Sequence, residues 1–586
     1  MKTDQDASSK FYLSDFILDQ EKRVFVLPEG PKPEFSYSDG KMEDYILEKI
    51  IKAKDVSDNS EELMGESRDW LSYYHLGMCR SNVVRAIQLP RDFKVLELGA
   101  GCGPITRYLG ENYKHVDAIE GTFKRAIINR ERCRGLDNVR IFCSDVKNLK
   151  LEPVYDAVFL VGVLEYAPLY FSGEKNPATF LIELAKSALK PDGTLVIAIE
   201  NKIGIKYFSG CPEDHNGKIY SGIHGYPQGK CPVTFSKKEI KNLLGDAGFK
   251  NIFFNYCFPD YKFLSTIFND NGGDENFYLH NWIETPFSAS DIRVYTFDEA
   301  LVIKTLSEAG LMGELANSFL IMANQRSDSV FPKDWIAKKF STKRRKKLLC
   351  STTLKMFPEI HIEKKRLLGQ EEEVMFKDKT DTVEVKHKIF DSRWIGGDLM
   401  IFDFFKAIYA KNIKEKFTEI LKIYYQELIK KYSVNSLDGK GYPLLRGVAV
   451  DFVPRNIIKK EGKLFSIDDE WTVGDHIPAD YCLFRAINDV LFSQQPRVKK
   501  KIKNVDKFTI EIIKYFFPNY NTKRYIENIT LEKKFQNTAT AELFKINFIN
   551  SHKVLTQIKN FRPIRKLWNI LPEDLKFAVK KMLFNN

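Results

Sequence analysis

The residues best suited to chemistry in this 586-residue chain are a glycine run and a series of acids, placed where apolar segments end. Val95-Leu96-Glu97-Leu98 leads into Gly99-Ala100-Gly101-Cys102-Gly103, and Pro104 opens the next segment. Glycine lets a backbone approach a ligand where a Cβ would collide, and a helix starting beyond the loop points free N–H groups at that ligand. The spacing E-x-G-x-G-x-G is shorter than the G-x-G-x-x-G of a dinucleotide site. Downstream, 115–120 reads as a second strand ending in Glu120, about 20 residues past the glycines, where a ribose diol would lie. A third strand, 139–143, runs into Ser144-Asp145, and a carboxylate there can accept from an adenine amino group. A fourth, 155–161, is apolar enough for a central parallel position and leads to Glu165.

These residues need a parallel sheet with its loops gathered at the carboxyl ends of the strands, and 195–199 supplies a fifth strand. The short glycine loop resembles motif I of the class I S-adenosylmethionine methyltransferases. Tyr74-His75-Leu76, Arg80-Ser81-Asn82, the stretch from Gly103 to Gly110, Glu120-Gly121 and Arg125-Ala126 resemble bacterial methyltransferases encoded with surface-polysaccharide (O-antigen, lipopolysaccharide) genes. So do Asn201-Lys202-Ile203-Gly204, the stretch from Gly210 to His215, and the stretch from Phe258 to Lys262. The resemblance covers 65–265. It implies an α/β Rossmann-like domain with a mostly parallel seven-stranded sheet, S-adenosylmethionine as cofactor, and a glycan or lipid-linked glycan as acceptor. On it, Glu97, Gly99, Gly101, Gly103, Glu120, Asp145 and Glu165 are expected to bind the cofactor.

Methyl transfer needs mainly an in-line approach, with a base only when the acceptor must lose a proton. The Asn-Pro-Pro-Tyr clamp used for amide or ring nitrogens is absent after the fourth strand, where Leu164-Glu165-Tyr166-Ala167 stands instead. The loop 201–231 is rich in Gly, His and acid and is expected to form an acceptor lid, with His215 as its base beside Asp214. The same histidine could simply hydrogen-bond backbone. Cys211, His215, His224 and Cys231 match no common zinc spacing.

A second constellation lies in the middle of the chain. Asp451-Phe452-Val453-Pro454-Arg455-Asn456 has the D-x-x-x-x-N spacing of a kinase catalytic loop, followed by a short hairpin and Asp468. There Asp451 would face an acceptor hydroxyl, while Asn456 and Asp468 hold magnesium on ATP. A strand over 359–368 would place Lys364 on phosphate, with Glu371, Glu372 or Glu373 pairing with it from a following helix. The order ending in Asp468-Asp469-Glu470-Trp471 resembles aminoglycoside phosphotransferases and Trp394 to Leu399 resembles the segment after a kinase hinge, which implies an α+β kinase-like domain over 335–495. The chain departs from that pattern: no glycine-rich loop is seen, and Val450 precedes Asp451. An inert scaffold that docks a glycosyltransferase is the alternative. The run Lys343 to Lys347 reads as a solvated hairpin.

Composition frames the rest. With 44% hydrophobic and 29% charged residues the chain is globular and long enough for several domains. Nine cysteines without regular spacing suggest reduced thiols, and the polar start and short apolar runs suggest neither signal peptide nor membrane span. The net charge of +12 is concentrated at the end: from Arg497 onward there are 20 Lys and Arg against 7 Asp and Glu. No stacking platform accompanies the charge, so nucleic acid is not expected, although a protein or RNA methyltransferase is the reading that would use it. Leu575, Ala578, Val579, Met582 and Leu583 fall on one helical face with lysines elsewhere, so 572–586, with Trp568 and Phe577 nearby, could lie in an anionic membrane surface. The alternative is a helix docked on its own domain. The expected order is a helical region 1–64, the methyltransferase domain 65–265, a connection 266–334, the kinase-like domain 335–495 and a basic helical tail 496–586, in a cytoplasmic protein at the inner face of the membrane.

Overall fold

The computed structural model describes residues 10–28, 39–273, 277–287, 293, 295–326, 331, 334–377 and 383–540. A two-stranded hairpin, β1 (Ile17–Leu18) and β2 (Phe25–Val26), opens the chain. Five parallel strands follow: β3 (Lys94–Leu98), β4 (His115–Glu120), β5 (Val139–Cys143), β6 (Tyr155–Val161) and β7 (Leu189–Glu200). They lie in the order β5-β4-β3-β6-β7, so the chain reverses direction across the sheet at β3 and β6.

Beyond β7 come β8 (Asn251–Phe258), β9 (Thr266–Asn269) and β10 (Ser318–Asn324). β10 inserts between β7 and β8 and is antiparallel to both, over seven residue pairs on each side. The expected seven-stranded, mostly parallel sheet is thus present, but its inserted strand comes from the segment 266–334, which the sequence presents as a connection. The sheet does not end there. Through β9 it continues into β11 (Trp335–Phe340), β12 (Cys350–Lys355) and β13 (His361–Arg366), so one 14-stranded sheet carries both candidate sites.

Strand alternation explains the two faces. Val95, Val116, Ile141, Phe159 and Val196 meet Ile105, Leu109 and Ala126 on one side. Leu96, Ile119, Val158, Leu160 and Ile197 meet Leu181, Ile182, Ile240 and Leu244 on the other. Pro104 begins the helix Pro104–Asn112, whose missing N–H costs nothing at that position. Within the expected helical region 1–64, the helix Lys41–Lys52 buries Ile46 and Ile50 and packs on the helix Phe123–Arg132.

A second core holds the helices Ile401–Ala407, Ile413–Tyr432 and Ala479–Ser493. Helices Val505–Phe516 and Thr522–Thr540 join it through Ile512, Ile513, Tyr525 and Phe535, so this part of 496–586 is docked on the fold. Residues 572–586, Trp568 and Phe577 lie outside the described residues. Among the described residues no helix is long and apolar enough to cross a membrane. Glu373 begins a strand, Glu373–Lys377, rather than the helix expected to pair with Lys364.

Candidate cofactor loop and acceptor pocket

The glycine loop joins β3 to the helix Pro104–Asn112, and Gly99, Gly101 and Gly103 all have positive φ, at 76°, 56° and 86°. A Cβ on Gly99 would lie 2.6 Å from Val163, and one on Gly103 would lie 2.4 Å from Asn129, whereas Gly101 faces open space. The first and third glycines therefore serve packing, and the second bares backbone to the space in front of the loop. Glu120, at the end of β4, accepts from Gly101 N–H at 2.7 Å and from Thr122 N–H at 2.9 Å. Burial raises its pKa against the pull of Arg125. Asp145 follows β5 and is held by its own turn, accepting from Lys147 N–H at 3.0 Å, with Lys147 Nζ 3.2 Å away.

Glu97 is placed differently from the other acids. Its side chain is buried and accepts from Thr106 Oγ1 at 2.6 Å, and Thr106 accepts from Asn129 at 2.9 Å. It fastens the helix to the strand. Burial, partly offset by that hydrogen bond, raises its pKa to about 8, so the carboxyl is mostly neutral at physiological pH.

The second half of the site forms at the ends of β6 and β7. Val163, packed on Gly99, precedes the short helix Leu164–Tyr166, which turns Glu165 into the interior. Glu165 is 0% exposed and neither carboxylate oxygen has a hydrogen-bond partner. His215 comes back from the loop 201–231, so that Nε2 lies 3.4 Å from Glu200 Oε2 and 4.0 Å from Glu165 Oε1, while Nδ1 lies 3.3 Å from Tyr166 Oη. Lys262 donates to Glu200 and, at 3.0 Å, to Asp214. Asp214 also pairs with Lys206 at 2.7 Å and accepts from Tyr207 Oη at 2.6 Å.

Electrostatics sort these groups. Burial and the neighbouring Glu200 push Glu165 up, whereas Lys262 and His215 overcome burial and hold Glu200 down. Burial opposes a charge on His215, but the Glu200 and Glu165 carboxylates outweigh it and raise the imidazole to about 9. A protonated imidazole cannot accept a proton, so the free site does not present His215 as the expected base. Asp214 is held low by Lys206 and Lys262 despite burial and is likewise no proton acceptor. Glu200, Lys262 and Tyr261 are absent from the sequence assignment. Glu200 was findable, because it ends the fifth strand as Glu120 ends the second.

The mid-chain constellation also comes together. Lys364 on β13 pairs with Asp468 and, at 3.1 Å, with Glu470. Asn456 donates to Asp451 Oδ1 at 3.1 Å, and Asp451 Oδ2 accepts from the N–H groups of Glu470 and Trp471 at 2.8 and 3.1 Å. Burial raises Asp451 to about 7. Asp468 and Glu470, not Glu371, Glu372 or Glu373, are the acids that meet Lys364, and Glu470 also takes Arg344 at 2.5 Å. Arg344 belongs to the run Lys343 to Lys347, which is therefore not a solvated hairpin: Arg345 binds Thr538 O at 2.5 Å, and Lys346 binds Asp55 at 2.7 Å.

Residues 96–197 match the family model described as a methyltransferase domain. Curated relatives include the cyclopropane-fatty-acyl-phospholipid synthase of Escherichia coli (strain K12), 28% identical over 116 residues, which is 20% of this chain and 28% of that protein. The (S)-coclaurine N-methyltransferase of Thalictrum flavum subsp. glaucum is 28% identical over 114 residues, 19% of this chain and 29% of that protein. The chain thus spans less than a third of the length of these relatives. A solved S-adenosylmethionine-dependent methyltransferase of Thermotoga maritima, titled a possible histamine N-methyltransferase, aligns at 16% identity and a TM-score of 0.27, covering 45% of this chain and 98% of its own. With the sheet order β5-β4-β3-β6-β7-β10-β8 and a glycine loop after β3, the region matched over 96–197 belongs to a class I S-adenosylmethionine-dependent methyltransferase domain.

Proposed function

We propose that the chain transfers a methyl group from S-adenosylmethionine to a glycan or lipid-linked glycan of the bacterial cell surface, bound against Glu165, Glu200, His215 and Tyr261. The observation that carries this reading is Glu165. A wholly buried carboxylate with two unused oxygens, one residue pair away from the glycine loop through Val163, calls for a ligand that donates hydrogen bonds, as a hydroxyl does. A series of packed aromatic rings runs from the surface toward Glu165. Trp70, 53% exposed, stacks on Tyr74 at 5.3 Å; Arg80 bridges Tyr74 and Tyr261; the Tyr261 hydroxyl stands over Gly162 beside Glu165. Flat apolar rings with polar edges suit a sugar, which has C–H faces and hydroxyl rims. Surface glycan extracted from a strain lacking the gene should have lost methyl groups that the parent strain carries. Unchanged glycan methylation would refute the envelope role and return the choice to a protein or RNA acceptor.

The second constellation supports a kinase reading, in which ATP lies on Lys364, Asn456 and Asp468 hold Mg2+, and Asp451 faces the hydroxyl to be phosphorylated. Two observations favour the inert scaffold that docks a glycosyltransferase: Glu470 already holds Lys364, and two backbone amides occupy Asp451. Mg2+-dependent ATP binding by the full chain, lost in Asp468→Asn, would select the kinase. The basic end, 572–586, would hold the protein at the anionic inner face of the membrane. Cosedimentation of the full chain with anionic vesicles, lost on removal of those residues, is the expected result.

A further inference from the structure

Glu165 Oε1 and Oε2 are buried without a hydrogen-bond partner, and the buried Glu200 Oε2 and His215 Nε2, 3.4 Å apart, have no partner but each other. One ligand atom from each of the three residues lies within 4.8 Å of the others. That span is close to the ~4 Å between opposite ligands of an ion bound at ~2.1 Å. The surrounding charges do not fill the gap. Lys262 engages Glu200 Oε1 and Asp214, leaving Oε2 turned toward Glu165 and His215, and Lys206 engages Asp214 with Asp260 3.7 Å away.

A second trio of similar composition shows what a filled cluster looks like. Cys350, His387 and Glu470 also converge. There Arg344 reaches His387 Nε2 at 3.1 Å and Cys350 Sγ at 3.3 Å, and Arg366 takes His387 Nδ1 at 2.5 Å. Guanidinium groups occupy the position that a metal would need.

We infer that Glu165, Glu200 and His215 form a divalent-cation site in the acceptor pocket, whose remaining coordination positions would take oxygens of a hydroxylated acceptor. The two carboxylates suit an oxygen-preferring divalent ion such as Mn2+, with the imidazole as the third ligand. An ion here would lower the pKa of a bound hydroxyl, whose proton would pass to solvent, and orient its oxygen for in-line attack on the methyl group, the methyl–sulfur bond breaking as S-adenosylhomocysteine leaves. The inference rests on the reading of this pocket as the acceptor site.

The test uses the full chain carrying Asp468→Asn, which removes the other candidate cation site, and titrates it with Mn2+ followed by electron paramagnetic resonance. One Mn2+ per chain is expected, with binding weakened at least tenfold by His215→Ala and by Glu165→Gln. S-adenosylmethionine affinity, measured on each variant by calorimetry, reports that the domain is folded. If S-adenosylmethionine binds but Mn2+ does not, or if Mn2+ binding survives both substitutions, the cation site is overturned while the methyltransferase reading stands. Failure of S-adenosylmethionine to bind the parent chain would instead strike the methyltransferase reading.

Discussion

Glu120, the residue expected at the ribose, shapes the glycine loop, because its carboxylate holds the Gly101 and Thr122 amides. Glu120→Ala should weaken S-adenosylmethionine binding by about 1–3 kcal/mol, since charge-assisted bonds are lost and the loop is unfastened. Calorimetry showing unchanged affinity would remove it from the ribose. Glu97 leads to a different expectation, about stability. Its folded pKa is raised to about 8 from 4.5, so the stability it contributes is complete below pH 4.5 and is lost progressively as pH rises to about 8. Glu97→Gln cannot ionise and can still accept from Thr106. Urea midpoints of the variant relative to the parent should climb between those two pH values and level off above; a difference independent of pH would mean that Glu97 is ionised in the fold. At this scale the spacing singled out the glycines and Glu120, which the structure brings together at one loop. It could not see that Glu97 is held by Thr106, because only the helix carrying Thr106 decides that.

Among the elements, β10 has the clearest consequence. All seven of its residues are buried, and it completes the ladders of both β7 and β8. A fragment cut at 65–265 would leave two central strands with unpaired backbone groups and their apolar side chains exposed. That fragment should lack cooperative unfolding, whereas one spanning 10–326 should regain it in near-ultraviolet circular dichroism. Cooperative unfolding of 65–265 would contradict the sheet order. The strands β3 to β7 were legible because a buried parallel strand is a continuous apolar run between loop residues. β10 is just as apolar, but nothing in Ser318–Asn324 states that it inserts two places back in the sheet. The strand Glu373–Lys377 shows the opposite failure: three consecutive glutamates read as helical, yet pairing with Glu384–Lys388 overrides that propensity.

In the whole molecule, the two candidate sites share one sheet and one basic run. Arg344, Arg345 and Lys346 tie Glu470, the helix Thr522–Thr540 and the N-terminal Asp55 together. Arg344→Ala should cost about 1.5–3 kcal/mol, because buried Glu470 loses a charged partner, while Lys347→Ala on the exposed side should stay within about 0.5 kcal/mol. Equal urea midpoints for both would deny the run its structural role. The sequence by itself determined the parallel strands, the glycine loop and the two sets of chemistry-bearing residues, because strand periodicity, positive-φ glycine and carboxylate spacing are local properties. The tertiary structure alone decided what those residues face. It brought His215 against Glu165 and Glu200 and set its proton affinity, filled one buried trio with arginines and left another open, and drew the basic run out of solvent. Burial and pairing depend on segments far apart in the chain, so no local pattern records them.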